Sequence, residues 1–222
     1  MKNLIQYFKK VIYLIVITGF SLANAGSYED FFAAIRQDNP AVIQSLLRRG
    51  FDPNTLNPAG LTGLYLALRE PSPKVAEVLI ASPKTDVNIL NSKDESALML
   101  AALKNHEALA EKLIKKGADV NKTGWTPLHY AASNGNMAII SLLLENNAYI
   151  DAESPNGTTP LMMAAMYGTP AAVKLLLEEG ADPQLKNQQG LTALQFAERA
   201  NRLDAVEAIA TAIRKKRPAG QW

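Results

Sequence analysis

Two histidines, His106 and His129, and four aspartates, Asp52, Asp86, Asp119 and Asp182, are the side chains whose types best suit chemistry. Acid–base hydrolysis would need two carboxyl groups flanking one bond, about 5 to 10 Å apart. The aspartates instead recur at one position of a repeating pattern, which is the placement of turn-forming residues separated by whole structural units. Cysteine is absent, which removes thiol catalysis, zinc–thiolate sites and disulfides. No phosphate loop, dinucleotide fingerprint, serine–histidine–aspartate candidate or histidine-rich metal cluster appears. The sequence therefore predicts no catalytic residue, no metal site and no cofactor, and points to binding.

The elements that would present a binding surface are visible as a repeat. Thr126-Pro127-Leu128-His129-Tyr130-Ala131-Ala132 returns 33 residues later as Thr159-Pro160-Leu161-Met162-Met163-Ala164-Ala165, and 33 later again as Thr192-Ala193-Leu194-Gln195-Phe196-Ala197. Ser96-Ala97-Leu98, Thr62-Gly63-Leu64 and Phe31 mark three earlier copies. Six copies result, near 28–58, 59–91, 92–122, 123–155, 156–188 and 189–214. Copies close alike, as in Leu113-Ile114-Lys115-Lys116-Gly117-Ala118-Asp119 and Leu176-Leu177-Glu178-Glu179-Gly180-Ala181-Asp182.

These motifs resemble ankyrin repeats in period and in the Thr-Pro-Leu-His signature. The resemblance implies an all-α solenoid of about six helix–turn–helix repeats with β-hairpin loops, spanning 26–214. It also implies a structural task for His129, tying together neighbouring loop backbones. His106 is expected at a solvated turn.

Local chemistry agrees. Thr62, Ser96, Thr126, Thr159 and Thr192 stand where a side-chain oxygen caps an inner helix, and Pro127 and Pro160 follow where proline is harmless. Seven residues after each key leucine or Phe31 come Asp38, Asn105, Gly135, Gly168 and Asn201, types that suit a left-handed turn; Pro71 is the exception. Asn39-Pro40, Ser72-Pro73 and Thr169-Pro170 read as starts of outer helices. Ile139, Ile140, Leu142 and Leu143, and Val173, Leu175 and Leu176, form apolar faces at helical spacing, and the alanine pairs allow close helix approach. The final helix, 202–214, should turn Leu203, Val206, Ile209 and Ile213 inward, leaving 215–222 as a basic flexible tail.

The resemblance further implies that a partner binds the hairpin tips and the exposed face of the inner helices. At those positions Trp125, Leu103, Ser133, Asn134, Met166 and Tyr167 form the least charged stretch, flanked by Arg36, Arg69 and Arg199 nearer the ends. Aromatic and Met side chains inside a charged rim have the composition of a protein-binding hot spot. A tip tryptophan that merely covers the next hairpin is the competing reading. Between Asn121 and Gly124 the chain is three residues shorter than between Asn54 and Gly60, so a notch is expected beside Trp125.

The net charge of +2 comes from the first 25 residues, where Lys2, Lys9 and Lys10 face no acid. The rest is close to neutral, so a nucleic-acid partner has no electrostatic motive. Lys9-Lys10, the apolar run Val11 to Phe20 and Ala23-Asn24-Ala25 read as a signal peptide, too short to span a bilayer as a helix. The protein is expected to be periplasmic, or alternatively secreted or held by an uncleaved signal, and monomeric, binding another protein. It looks like exported bacterial ankyrin proteins, some of which support oxidative-stress enzymes such as catalase; an inhibitor or immunity protein against a toxic secreted enzyme is the alternative. Amino-terminal sequencing of the exported protein should find Gly26 first, and an intact Met1 would refute the cleavage.

Overall fold

The computed structural model describes residues 26–216. The signal segment and residues 217–222 of the basic tail lie outside them. Among the described residues twelve helices run in six pairs: α1 (26–36) with α2 (Pro40–Arg48), α3 (Gly63–Arg69) with α4 (Pro73–Ala81), α5 (Ala97–Leu103) with α6 (Glu107–Lys115), α7 (Pro127–Asn134) with α8 (Met137–Glu145), α9 (Pro160–Tyr167) with α10 (Pro170–Glu178), and α11 (Ala193–Arg199) with α12 (Leu203–Lys216). Hairpin-shaped loops join the pairs. Four close through one backbone bond across five residues: Asn57 N to Leu61 O (2.9 Å), Asn91 N to Glu95 O (3.0 Å), Ser154 N to Thr158 O (3.0 Å) and Asn187 N to Leu191 O (3.0 Å). Among the described residues β structure amounts to one isolated bridge, Leu56 with Thr62.

The described residues form two compact units, one ending at Thr85 and one beginning at Asp86. In the first, α2 and α3 both pack on α4, and Phe31, Ile35, Ile43, Leu64, Leu68 and Leu79 are buried. The second has two layers. Inner helices α5, α7, α9 and α11 lie side by side, and outer helices α6, α8, α10 and α12 stack behind them. Ala131, Ala132, Ala164 and Ala165 are wholly buried, so the inner helices meet backbone to backbone. Ile139, Ile140, Leu143, Val173 and Leu176 fill the space behind, while Leu142 and Leu175 sit half-buried at its margin.

The predicted caps form at Thr62, Ser96, Thr159 and Thr192, each accepting the amide three residues on. Asn39 and Thr169 cap α2 and α10 in the same way. Ser72 does not. Its buried hydroxyl donates to Ile35 O at 2.6 Å, and the α4 amide of Val75 is capped by Asp38 Oδ1 at 2.9 Å instead. Before Pro71, Glu70 is driven to an extended ψ of 161°, which is why this turn differs from the others.

Asp38, Asn105, Gly135 and Asn201 take the left-handed conformation expected of them. Gly168 corrects the expectation: its φ is −75°. Glycine is required there for space, because a Cβ would stand against the Ala132 carbonyl oxygen and 2.9 Å from Ala164 Cα. A second correction concerns α12, where Leu203 is 80% exposed. It is the first helical residue, before the stripe that meets the array; Ala205 and Ile209, one turn apart, are the wholly buried pair.

Leu128 and Leu161 are both wholly buried between neighbouring repeats. Replacing either by alanine should cost about 2 to 5 kcal/mol through lost burial and the cavity left behind. Chemical denaturation checks this, and an unchanged midpoint would show that the register is wrong.

Candidate protein-binding surface

The recurring aspartates act as turns. Asp52, Asp86, Asp119 and Asp182 each accept the backbone amide two residues on, at 2.9, 2.8, 2.8 and 3.0 Å. The side chain at that second position then reaches the following repeat. Asn54 Nδ2 donates to Lys84 O (2.8 Å), Asn88 Nδ2 to Gly117 O (3.0 Å) and Asn121 Nδ2 to Asn147 O (2.7 Å). Asn88 and Asn121 also accept the amides of Asp119 and Tyr149, both at 2.8 Å. The carboxylates are thus committed to holding loops in place.

His129 is wholly buried. Its Nδ1 accepts from Thr126 N at 3.1 Å, and its Nε2 lies 2.9 Å from Thr158 O in the next repeat, where only a protonated nitrogen can donate. Burial lowers its pKa to about 4 against the bonds to backbone carbonyls, so the ring is neutral. The same cap position carries Met99, Met162 and Gln195, whose Sδ, Sδ and Oε1 accept the amides of Ser96, Thr159 and Thr192 at 3.3, 3.4 and 2.9 Å. His106, expected in solvent, is half-buried as the residue before α6.

Because α5, α7, α9 and α11 lie side by side, residues at one repeat position form rows across them, with helix axes about 10 Å apart. Leu103, Asn134 and Tyr167 end α5, α7 and α9, and Ser133 and Met166 precede the last two. Leu103, Asn134 and Tyr167 are exposed, Tyr167 at 59%, while Ser133 and Met166 are half-buried. These five share one end of the inner layer. Trp125 does not: it precedes α7, so the whole eight-residue helix, about 12 Å, separates it from Asn134. It is half-buried, its ring set edge-on against His129 with centroids 5.2 Å apart. Thr158, the equivalent tip position, is buried.

Three residues that sequence reasoning missed fill the gap. Tyr130, Met163 and Phe196 occupy one position of α7, α9 and α11 and are half-buried on the open side of the inner layer. The 33-residue offset already aligned them. Tyr130 OH donates to Glu95 Oε1 at 3.4 Å, and burial together with the Glu95 carboxylate pushes the phenol up to about 12, so it stays protonated. With Met166 and Tyr167 they form an apolar and aromatic stripe, with Lys104 and Arg199 exposed beside it. Such a face can bury area against a protein and offers nothing that reacts.

Family comparison agrees with this geometry. The family model for ankyrin repeats (3 copies) matches residues 31–123, 72–154, 121–187 and 148–218. The chain belongs to the ankyrin-repeat family. An ankyrin array is in general a non-catalytic module that binds other proteins. A chain in the structure of a predatory endopeptidase from Bdellovibrio bacteriovorus in complex with an immunity protein is 30% identical, with a TM-score of 0.72, over 85% of this chain and 98% of that one. The human ASB11 ankyrin repeat domain shares the fold at 24% identity and a TM-score of 0.74, over 86% of this chain and 85% of that one. Curated relatives include a Candida albicans glycerophosphocholine phosphodiesterase, 38% identical over 42% of this chain, and a Danio rerio putative palmitoyltransferase, 33% identical over 56%. This chain spans only 9% and 20% of their lengths. Among the described residues no helix is long and apolar enough to cross a membrane.

His129 gives the array a pH dependence. Its folded pKa lies below the ordinary 6.5, so the unfolded chain takes up a proton that the folded chain refuses. Stability should be full above about pH 6.5 and fall towards pH 4 by up to about 1.4 kcal/mol per pH unit. His129→Gln, copying Gln195, should flatten the curve in that window relative to the parent. Parallel denaturation series that keep the same slope would refute the assignment.

Proposed function

We propose that this protein acts in the periplasm as a non-catalytic inhibitor or immunity protein, binding an exported enzyme through the inner-helix face of its second unit. The observation that carries the reading is the likeness to the Bdellovibrio chain, which extends over 85% of this chain and 98% of that one. The stripe of Tyr130, Met163, Met166, Tyr167 and Phe196 supplies the apolar area such a contact needs, and the signal-like amino terminus supplies the compartment. A scaffold that supports an exported oxidative-stress enzyme would use the same face; family resemblance is its only support.

Capture from the periplasm followed by assay of the captured enzyme separates the two. An inhibitor lowers the enzyme's activity on binding, and a scaffold leaves or raises it. Tyr167 is the cleaner probe of the face, because Trp125 also packs on His129. Tyr167→Ala should weaken binding of the captured enzyme by about 2 kcal/mol by calorimetry with an unchanged melting curve. Full affinity in that variant would move the interface elsewhere.

A further inference from the structure

Each full-length hairpin in this protein is braced by its own first side chain. Asn57 Oδ1 accepts from Ala59 N and Leu61 N, Asn91 Oδ1 from Lys93 N and Glu95 N, and Asn187 Oδ1 from Gln189 N and Leu191 N, all between 2.8 and 3.0 Å. Ser154 Oγ accepts from Thr158 N at 3.0 Å. In the shortened hairpin Asn121 holds the matching place, five residues before the cap Thr126. The deletion has also brought it to the position that staples the next repeat, and its amide is spent there on Asn147 O and Tyr149 N. One side chain cannot face both ways.

Lys122 fills the vacated role by different chemistry. Its side chain is only 8% exposed, and its ammonium donates to Thr123 O at 2.7 Å and pairs with Asp94 at the tip of the preceding hairpin. Asp94 stands at φ 63°, where the other hairpins place Gly60, Gly124, Gly157 and Gly190. A carboxylate thus replaces glycine at the one tip that a lysine reaches. Trp125 follows three residues after Lys122.

We infer that Lys122, clamped to Asp94, is the positioning residue that fixes the shortened hairpin and with it Trp125, setting a step in the binding face beside the Tyr130 stripe. Its bearing on binding rests on the function proposed above; the clamp itself does not. A Trp222→Phe background leaves Trp125 as the single indole of the exported chain. There, acrylamide quenching of Trp125 should rise roughly twofold in Lys122→Met and in Asp94→Gly as the hairpin opens locally, and stay parental in Lys122→Arg. Asp94→Gly keeps the test valid should Lys122→Met fold poorly, because glycine accepts a positive φ without strain and the Lys122 ammonium keeps Thr123 O as a partner. Parental quenching in Asp94→Gly would overturn the clamp. With the captured enzyme, raised quenching and an affinity about tenfold weaker place the step within the interface. Raised quenching with unchanged affinity supports the clamp and takes Trp125 out of the contact.

Discussion

A helix pair of this size presents more apolar surface than it can cover itself, so each pair is stable only against its neighbours. Stacking the pairs would strand loop amides and carbonyls at every seam, where an unpaired buried group costs about 1 to 3 kcal/mol. The array settles both demands at once. Wholly buried Leu128, Leu161 and the alanine pairs close the seam on its dry side, and Asn88, Asn121 and His129 carry side-chain bonds across it on the polar side. Asp52, Asp86 and Asp119 are part of the same arrangement, since each fixes the turn from which the stapling asparagine reaches out.

Three kinds of side chain serve one cap position in four helices, and together they show what that position demands. Imidazole nitrogen, two thioether sulfurs and an amide oxygen all accept the amide of the capping Ser or Thr. His129 alone among them extends to the next repeat's carbonyl, because an imidazole has a second nitrogen on the far side of its ring. Methionine is a weaker acceptor but brings volume to a wholly enclosed site, where Met99 and Met162 are each 1% exposed.

Repeat register, most caps and most turns were legible in the sequence because each is set by residue type at short range, while the task of His129, whose bond reaches Thr158 O 29 residues on, came from the ankyrin resemblance. What was not legible depended on a neighbour several tens of residues away. Ser72 reads as a cap until Ile35 O competes for its hydroxyl, and Gly168 reads as left-handed until the Ala132 carbonyl explains why it must lack a Cβ. Leu203 has the right period and the wrong turn of its helix. The candidate surface was half visible: the residues at the helix ends lie on the face that the ankyrin resemblance implies, while Tyr130, Met163 and Phe196 were passed over as interior positions of a motif. Trp125 was assigned to their patch as a hairpin-tip position, although a full helix length parts it from Asn134.

The double duty of Asn121 bears on how such an array is inherited. Where the hairpin is full length, as between Asp151 and Thr159, one residue ties the loop to the next copy and another braces the loop, so a copy can be duplicated or exchanged with both functions intact. At Asn121 the two have fused, and Lys122 answers to an aspartate at the far end of its own copy, 28 residues earlier. A recombination event cutting between Asp94 and Lys122 separates lysine from aspartate and leaves a short loop with no brace. Gene duplication can lengthen the array on either side, but residues 94 to 126, from the aspartate to the cap that closes the shortened hairpin, have to travel as one cassette.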